Sequence, residues 1–261
     1  MDDVSLVTVV LLVVAGFAAG WIDAVVGGGG LVQLPSLMVA FPGAAPVQLL
    51  ATNKLASICG TSTSSVTLIR RVRPDMRTAI PLALLAFAGS LLGALIASQI
   101  PRSAFNPIIL FVLVAVGAYT LARPGLGEVT QLKWDGRRHY AIAGLTGFSI
   151  GLYDGALGPG TGSFFVFALV GLLGYGFLEA SAKAKLANFA TNLASLVIFV
   201  PQGAVLWGIG LAMGAANLVG GYVGARTAVA KGAGFIRVVF VVVVSAFILR
   251  IGYDVVNQLV G

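Results

Sequence analysis

The stretch GFAAGWIDAVVGGGGLVQLPSL (16–37) sets one aspartate and then four consecutive glycines inside apolar sequence. Each glycine costs about 1 kcal/mol in a helix interior, so Gly27–Gly30 break a helix rather than bend it. The flanking chain demands helices. The apolar runs 4–19, 79–97, 107–122 and 238–251 are unbroken rather than alternating, which excludes a transmembrane barrel. Irregular backbone in such surroundings survives only where protein buries it or it lines a watery cavity. A second stretch, GFSIGLYDGALGPGTGSF (147–164), again sets an aspartate before a break, Gly158-Pro159-Gly160. Proline adds about 3 kcal/mol against a helix.

The two stretches belong to an internal repeat with an offset of 131 residues. Gly16, Phe17, Gly20 and Asp23 meet Gly147, Phe148, Gly151 and Asp154. Gly27 and Gly29 meet Gly158 and Gly160. Ala51, Lys54, Leu55 and Ala56 meet Ala182, Lys185, Leu186 and Ala187, and Gly89-x-x-x-Gly93 meets Gly220-x-x-x-Gly224. Glycine matches are cheap here, but the chain has only seven Asp and five Lys, and both types match. The chain reads as a first repeat (1–122), a polar linker (123–138) and a second repeat (139–261).

Of 261 residues, 58% are hydrophobic and 10% charged, with mean hydropathy +1.00. Soluble domains carry about 25% charged residues, so the expected class is an all-α polytopic membrane protein with about eight to ten segments. The expected spans are 4–22, 28–41, 49–69, 77–98 and 104–122, then 139–156, 161–175, 185–200, 207–226 and 236–255. Segments 28–41 and 161–175 are short of the roughly 20 residues that cross a bilayer. The net charge of +7 reads as lysine and arginine held in cytoplasmic loops, not as a nucleic-acid surface. Arg70, Arg71, Arg73 and Arg77 crowd one loop whose repeat mate, 201–208, is uncharged. Arg226, Lys231 and Arg237 crowd another whose mate, 95–106, holds only Arg102. Equivalent loops exchange their positive charge, so the repeats are expected to be inverted. The linker, with Arg123, Lys133, Arg137 and Arg138, falls inside, and both termini are expected in the periplasm. Cys59 and His139 are each single, so no disulfide, thiolate cluster or metal site is expected, and His139 is expected in solvent. The aspartates before the first run have no basic n-region, which argues against a cleaved leader.

Matched helix breaks point to a transport site, since free N–H groups at a new helix start favour an anion. The expected binding residues are Gly27, Gly28, Gly29, Gly30, Gly158, Gly160 and Thr161, with Thr52, Asn53, Lys54, Lys185, Asn188 and Asn192 adding cations, hydroxyls and amides. The two lysine motifs are expected to open their segments. Lys183 is expected to snorkel at the interface. Three roles suit Asp23 and Asp154: carrying a coupling proton, capping the glycine loops, or lying at the membrane surface. Gly89/Gly93 and Gly220/Gly224 read as helix-packing pairs. The tetraglycine is no nucleotide loop, having neither a preceding strand nor a following Lys-Ser/Thr. No catalytic residue or cofactor is expected. An intramembrane aspartyl enzyme would need a G-x-G-D that is absent, and H-E-x-x-H and G-x-S-x-G are missing too. A passive anion channel would use the same site without a coupled ion.

Together, residues 16–37, ATNKLAS (51–57), residues 147–164 and GGYVGARTA (220–228) resemble the sulfite exporter TauE/SafE family. The resemblance implies an inner-membrane transporter of sulfite, sulfoacetate or related anions, coupled to protons. The second repeat departs from A-T-N-K, having Ala182-Lys183-Ala184-Lys185 instead.

Overall fold

The structure is a computed structural model that describes residues 5–99, 111, 114 and 129–260. The expected segment 104–122, apart from Phe111 and Val114, and linker residues 123–128 lie outside them. The described residues form helices only, as the sequence requires. Helix α1 (Leu6–Val26) starts where Ser5 Oγ accepts from the Thr8 N–H and stops at Gly27, whose left-handed φ of 87° ends it. Helix α2 (Gly29–Ala40) follows at once. Helix α3 (Pro46–Val72) opens on a proline, where the missing N–H is no loss. Three residues later, Asp75 caps α4 (Met76–Ile96), accepting from the Arg77 and Thr78 N–H groups.

The second half repeats this order. Helix α5 (Gly136–Ala156) precedes a short α6 (Thr161–Ala168), which continues through a π turn (Leu169–Leu173) to Gly174, at φ 87°. Helix α7 (Phe177–Phe199) leads to α8 (Trp207–Val260), interrupted by non-helical Gly232. Helices α3 and α7 start 131 residues apart, as do α4 and α8; the other two pairs agree within one residue.

Helices exchange partners between the halves, and glycines make the exchange close. Gly16 and Gly20 of α1 face the backbone of Met213 and Asn217 in α8, while Gly220 and Gly224 of α8 face Phe17 and Trp21. At the equivalent crossing, Gly147 and Gly151 of α5 face Leu82 and Ala86 of α4, and Gly89 and Gly93 face Phe148 and Leu152. A Cβ at any of these would strike backbone, so the paired glycines serve packing, as expected. Residue numbers rise together along both contacts. Helix α3 runs alongside α8 in the same sense, with Thr52 accepting from the Leu206 N–H and Thr63 donating to the Leu218 carbonyl.

Helices α1 and α4, with mean hydropathies of 2.3 and 2.2, are the two among the described residues long and apolar enough to cross a membrane. At 1.5 Å per residue each is about 31 Å long, close to the roughly 30 Å of a hydrocarbon core. Leu6, Val7, Val10, Leu11 and Val14 of α1 stand exposed, as lipid contact requires. Helices α2 and α6 are the shorter apolar pieces.

Three expectations fail. Helices α3 and α7 begin before 49 and 185, so Lys54 and Lys185 do not open their segments; each sits in the third helical turn. Lys183 does not snorkel. It is fully buried, pairs with Glu179 at 3.1 Å, donates to the Asp75 carbonyl and lies over the Tyr175 ring. His139 is buried too, with Nε2 2.8 Å from Tyr175 Oη and 3.1 Å from Thr78 Oγ1. Both residues tie the start of α4 to α5 and α7. Burial alone would raise the Asp75 carboxyl beside them, but the Thr78 hydroxyl, the Arg77 N–H and Lys183 hold it below its ordinary value.

Candidate functional site

The two helix breaks meet. Ser163, in the first turn of α6, donates its N–H to the Gly27 carbonyl at 3.0 Å and its hydroxyl to the Val26 carbonyl at 2.8 Å. Gly30 lies against Pro159 and the Gly158 carbonyl. Gly27, Gly158 and Gly160 have φ between 82° and 88°, a region that side-chain-bearing residues rarely adopt. The second break is tied off locally: Tyr153 Oη donates to the Pro159 carbonyl and Thr161 Oγ1 to the Gly158 carbonyl.

Helices α3 and α7 bring their lysines to this junction, and each lysine reaches into the opposite half. Lys54 Nζ bonds Asp154 Oδ2 at 2.5 Å; Lys185 Nζ bonds Asp23 Oδ2 at 2.9 Å. The two pairs are related by the same repeat offset. Their lysines are 1% and 0% exposed, so neither charge has bulk water as an alternative partner. A buried ion pair is costly to assemble, and removing one member leaves the other uncompensated.

Between the breaks lies a small polar cavity lined by Asp23, Gly27, Gly30, Asn53, Lys54, Ser57, Asp154, Gly158, Gly160, Thr161, Gly162, Asn188 and Asn192. The volume open to a water's centre is about 10 Å³, room for about one water. Eleven of the residues expected from sequence converge here. Ser57 and Gly162 join them without having been expected. Ser57 is the repeat mate of Asn188, a signal the sequence did contain. Asn192 Nδ2 reaches Thr61 Oγ1 at 3.4 Å, and these two are also repeat mates, facing each other across the junction. Among the described residues Asn53 Oδ1 is buried without a hydrogen-bond partner and Asn53 Nδ2 lies near Gly30, so an acceptor oxygen at the cavity is open to a donor such as water or a protonated group.

Four expected residues are placed elsewhere. Thr52 serves the backbone, donating to the Gln48 carbonyl and accepting from the Leu206 N–H. Lys185 approaches the site only through Asp23. Gly28 lies beside Val243 and Ile22, away from the cavity, and the Cβ position of Gly29 falls 2.5 Å from the Ala19 carbonyl oxygen. Gly29 therefore packs α2 on α1.

This difference yields a test. A Cβ at Gly30 would meet Pro159 Cα at 3.4 Å and the Asn53 amide at 3.8 Å, ordinary contacts that fill the cavity without moving backbone. Gly30→Ala is expected to purify with wild-type thermal stability while anion uptake into proteoliposomes falls about tenfold. Gly29→Ala is expected to lose the folded protein itself. Wild-type uptake by Gly30→Ala would show that the cavity holds nothing.

The family model described as "Sulfite exporter TauE/SafE" matches residues 12–251. "Probable membrane transporter protein ORF9" of a Sinorhizobium species is 38% identical over 99% of this chain and 98% of its own. A "probable membrane transporter protein" of Haemophilus influenzae is 35% identical over 97% of both chains. "Probable membrane transporter protein YfcA" of Escherichia coli is 34% identical over 90% of this chain and 86% of its own. No solved structure matches the chain.

Proposed function

The chain belongs to the sulfite exporter TauE/SafE family of membrane transporters, and from that premise we propose that it is a secondary transporter, working as an exporter, that carries a small organic or sulfur-containing anion such as sulfite or sulfoacetate across the inner membrane with a coupled proton. The observation that carries this reading is the crossed pair of buried lysine–aspartate bonds at the junction of two helix breaks. As built, each pair is neutral. A proton placed on Asp23, which lines the same cavity as Lys54, removes that carboxylate's negative charge, so the site stays neutral once a singly charged anion is bound as well. Anion without proton would leave a net negative charge in a dry site, which is strongly opposed. Proton without anion would leave an unpaired ammonium. Each therefore favours the other, which is the requirement for coupled transport. A closed space of about 10 Å³ supports a carrier that must open, rather than a standing pore.

In proteoliposomes, an imposed pH gradient is expected to drive sulfite or sulfoacetate accumulation. Flux indifferent to the gradient would favour the channel reading, and no flux of either anion would overturn the substrate class.

We also infer that the repeats are inverted, with the linker cytoplasmic and both termini periplasmic. The three-residue connection from α3 to α4 supports this, because α1, α3 and α8 run in one sense and α4 must turn back. The basic residues support it too: Arg70, Arg71 and Arg226 gather at one end, while the uncharged loop before α8 meets the opposite end of α3. Single cysteines in a Cys59→Ser background test it. Arg71→Cys, Asp135→Cys and Lys231→Cys are expected to label from the cytoplasm, and Gln202→Cys from the periplasm. Labelling of positions 71 and 202 from one side would sink the inverted arrangement.

A further inference from the structure

Away from the central cavity, α3 and α8 frame a surface groove of about 420 Å³. Its upper wall carries Arg70, Arg71 and Arg226, and its lower wall Val66, Thr67 and Tyr222. Among the described residues, no aspartate or glutamate lies within 4.0 Å of these three guanidiniums. Arg226 is held in place by its own helix, with Nη1 donating to Tyr222 Oη at 3.0 Å and the guanidinium over that ring. Three cations converging on one concavity repel one another unless an anion lies between them.

The repeat supplies an internal control. The equivalent groove, between α7 and α4, has Pro201, Gln202 and Leu95 where the arginines stand, and Val197, Ile198 and Leu91 below. The helix crossing is therefore built without cations in one half. The proposed topology already sets this groove at the cytoplasmic face and its mate at the periplasmic one; it does not by itself require that three guanidiniums line a single concavity.

The position of the groove says which ligand suits the three guanidiniums. Arg226 lies 19 residues beyond Trp207, about 28 Å along the helix, so it stands near a bilayer's hydrocarbon boundary. Below it the surface is apolar and open: Val66, Val219, Tyr222 and Val223 are between 40% and 49% exposed. A ligand that fits has an anionic head and hydrocarbon tails. We propose that this groove is a binding site for the phosphate headgroup of an anionic phospholipid, with the acyl chains lying along α8. Guanidinium forks hold phosphate oxygens in pairs, and basic pockets between membrane helices are suited to such headgroups. The site does not depend on which anion the central cavity carries.

The test uses the purified full-length protein in detergent, with phosphatidylglycerol, cardiolipin, phosphatidylcholine and inorganic phosphate as probes. Native mass spectrometry is expected to show one retained phosphatidylglycerol or cardiolipin, no retained phosphatidylcholine, and release at high salt. The variant Arg70→Gln/Arg71→Gln/Arg226→Gln is expected to bind phosphatidylglycerol at least about tenfold more weakly, and Lys231→Gln to bind it as the wild type does. Equal retention by the triple variant would overturn the site. Inorganic phosphate that competes as well as the lipid would also overturn it, leaving an anion site with no use for acyl chains. Should the triple variant not purify, the salt and phosphatidylcholine comparisons on the wild-type chain still decide, since binding indifferent to both refutes recognition of the headgroup.

Discussion

Lys54→Gln is expected to abolish measurable anion uptake, or to raise the apparent KM by ten- to a hundredfold. The loss of one charge-assisted hydrogen bond costs about 1.5–3 kcal/mol, which sets that range. The substitution also strands Asp154, which is 1% exposed and has Lys54 as its 2.5 Å partner. Breaking a buried pair from one side costs about 3–5 kcal/mol of stability, so reduced uptake alone would be ambiguous. The double variant Lys54→Gln/Asp154→Asn resolves it, since it removes both charges and is expected to regain stability. If uptake returns with stability, Lys54 is a structural cation and not the anion's counter-charge. If the double variant is stable and inactive, the ammonium is needed for its own sake. Lys54→Arg is expected to rescue poorly, because a planar fork does not fit where a point charge sat.

Asp23→Asn separates proton carriage from anion binding. Substrate counterflow is expected to survive, because the Lys54–Asp154 pair is untouched and asparagine keeps the shape of the cavity wall, while accumulation driven by a pH gradient is lost. Thermal stability is measured alongside, since Lys185 loses its counter-charge. Asparagine can cap a glycine loop nearly as well as aspartate, so a capping role predicts normal behaviour in both assays. The geometry adds a consideration the residue type alone did not. Asp23 is 9% exposed and Asp154 only 1%, and they pair with lysines of opposite halves. The two aspartates are therefore unequal in access to water although equivalent in the repeat. Asp154→Asn is the matched comparison, and only one of the two is expected to govern coupling. An Asp23→Asn protein that still concentrates substrate would exclude Asp23 as the proton carrier.

The helix plan was largely legible in the sequence because each signal was local. Consecutive glycines break helices wherever they stand, and the 131-residue offset carried the helix starts from one half to the other within one residue. What the repeat could not reveal was contact. It equates Lys54 with Lys185 and Asp23 with Asp154, but only the folded chain sends each lysine to the other half. Lys183 and His139 were misplaced for a related reason. A lone lysine and a lone histidine beside apolar segments normally find water, but here Tyr175, Thr78 and Glu179 arrive from separate segments and make burial tolerable. Gly28 and Gly29 were misplaced because composition says that a break exists, not which of its faces is turned to the neighbouring helix.

The crossed bonds also order the protein's synthesis in time. Lys54 and Asp154 are separated by 100 residues, and Asp23 and Lys185 by 162. At ribosomal speeds of about 5–20 residues per second, Asp23 waits on the order of 10–30 s for its counter-charge to be made. For 100 of those 162 residues the nascent first half holds both an acid and a base in its apolar segments with no partner yet in existence. The insertion machinery or a wet lateral surface must shelter them until α5 and then α7 emerge. The first half is thus an unfinished structure by electrostatics alone, and the chain's last third completes what its first tenth began.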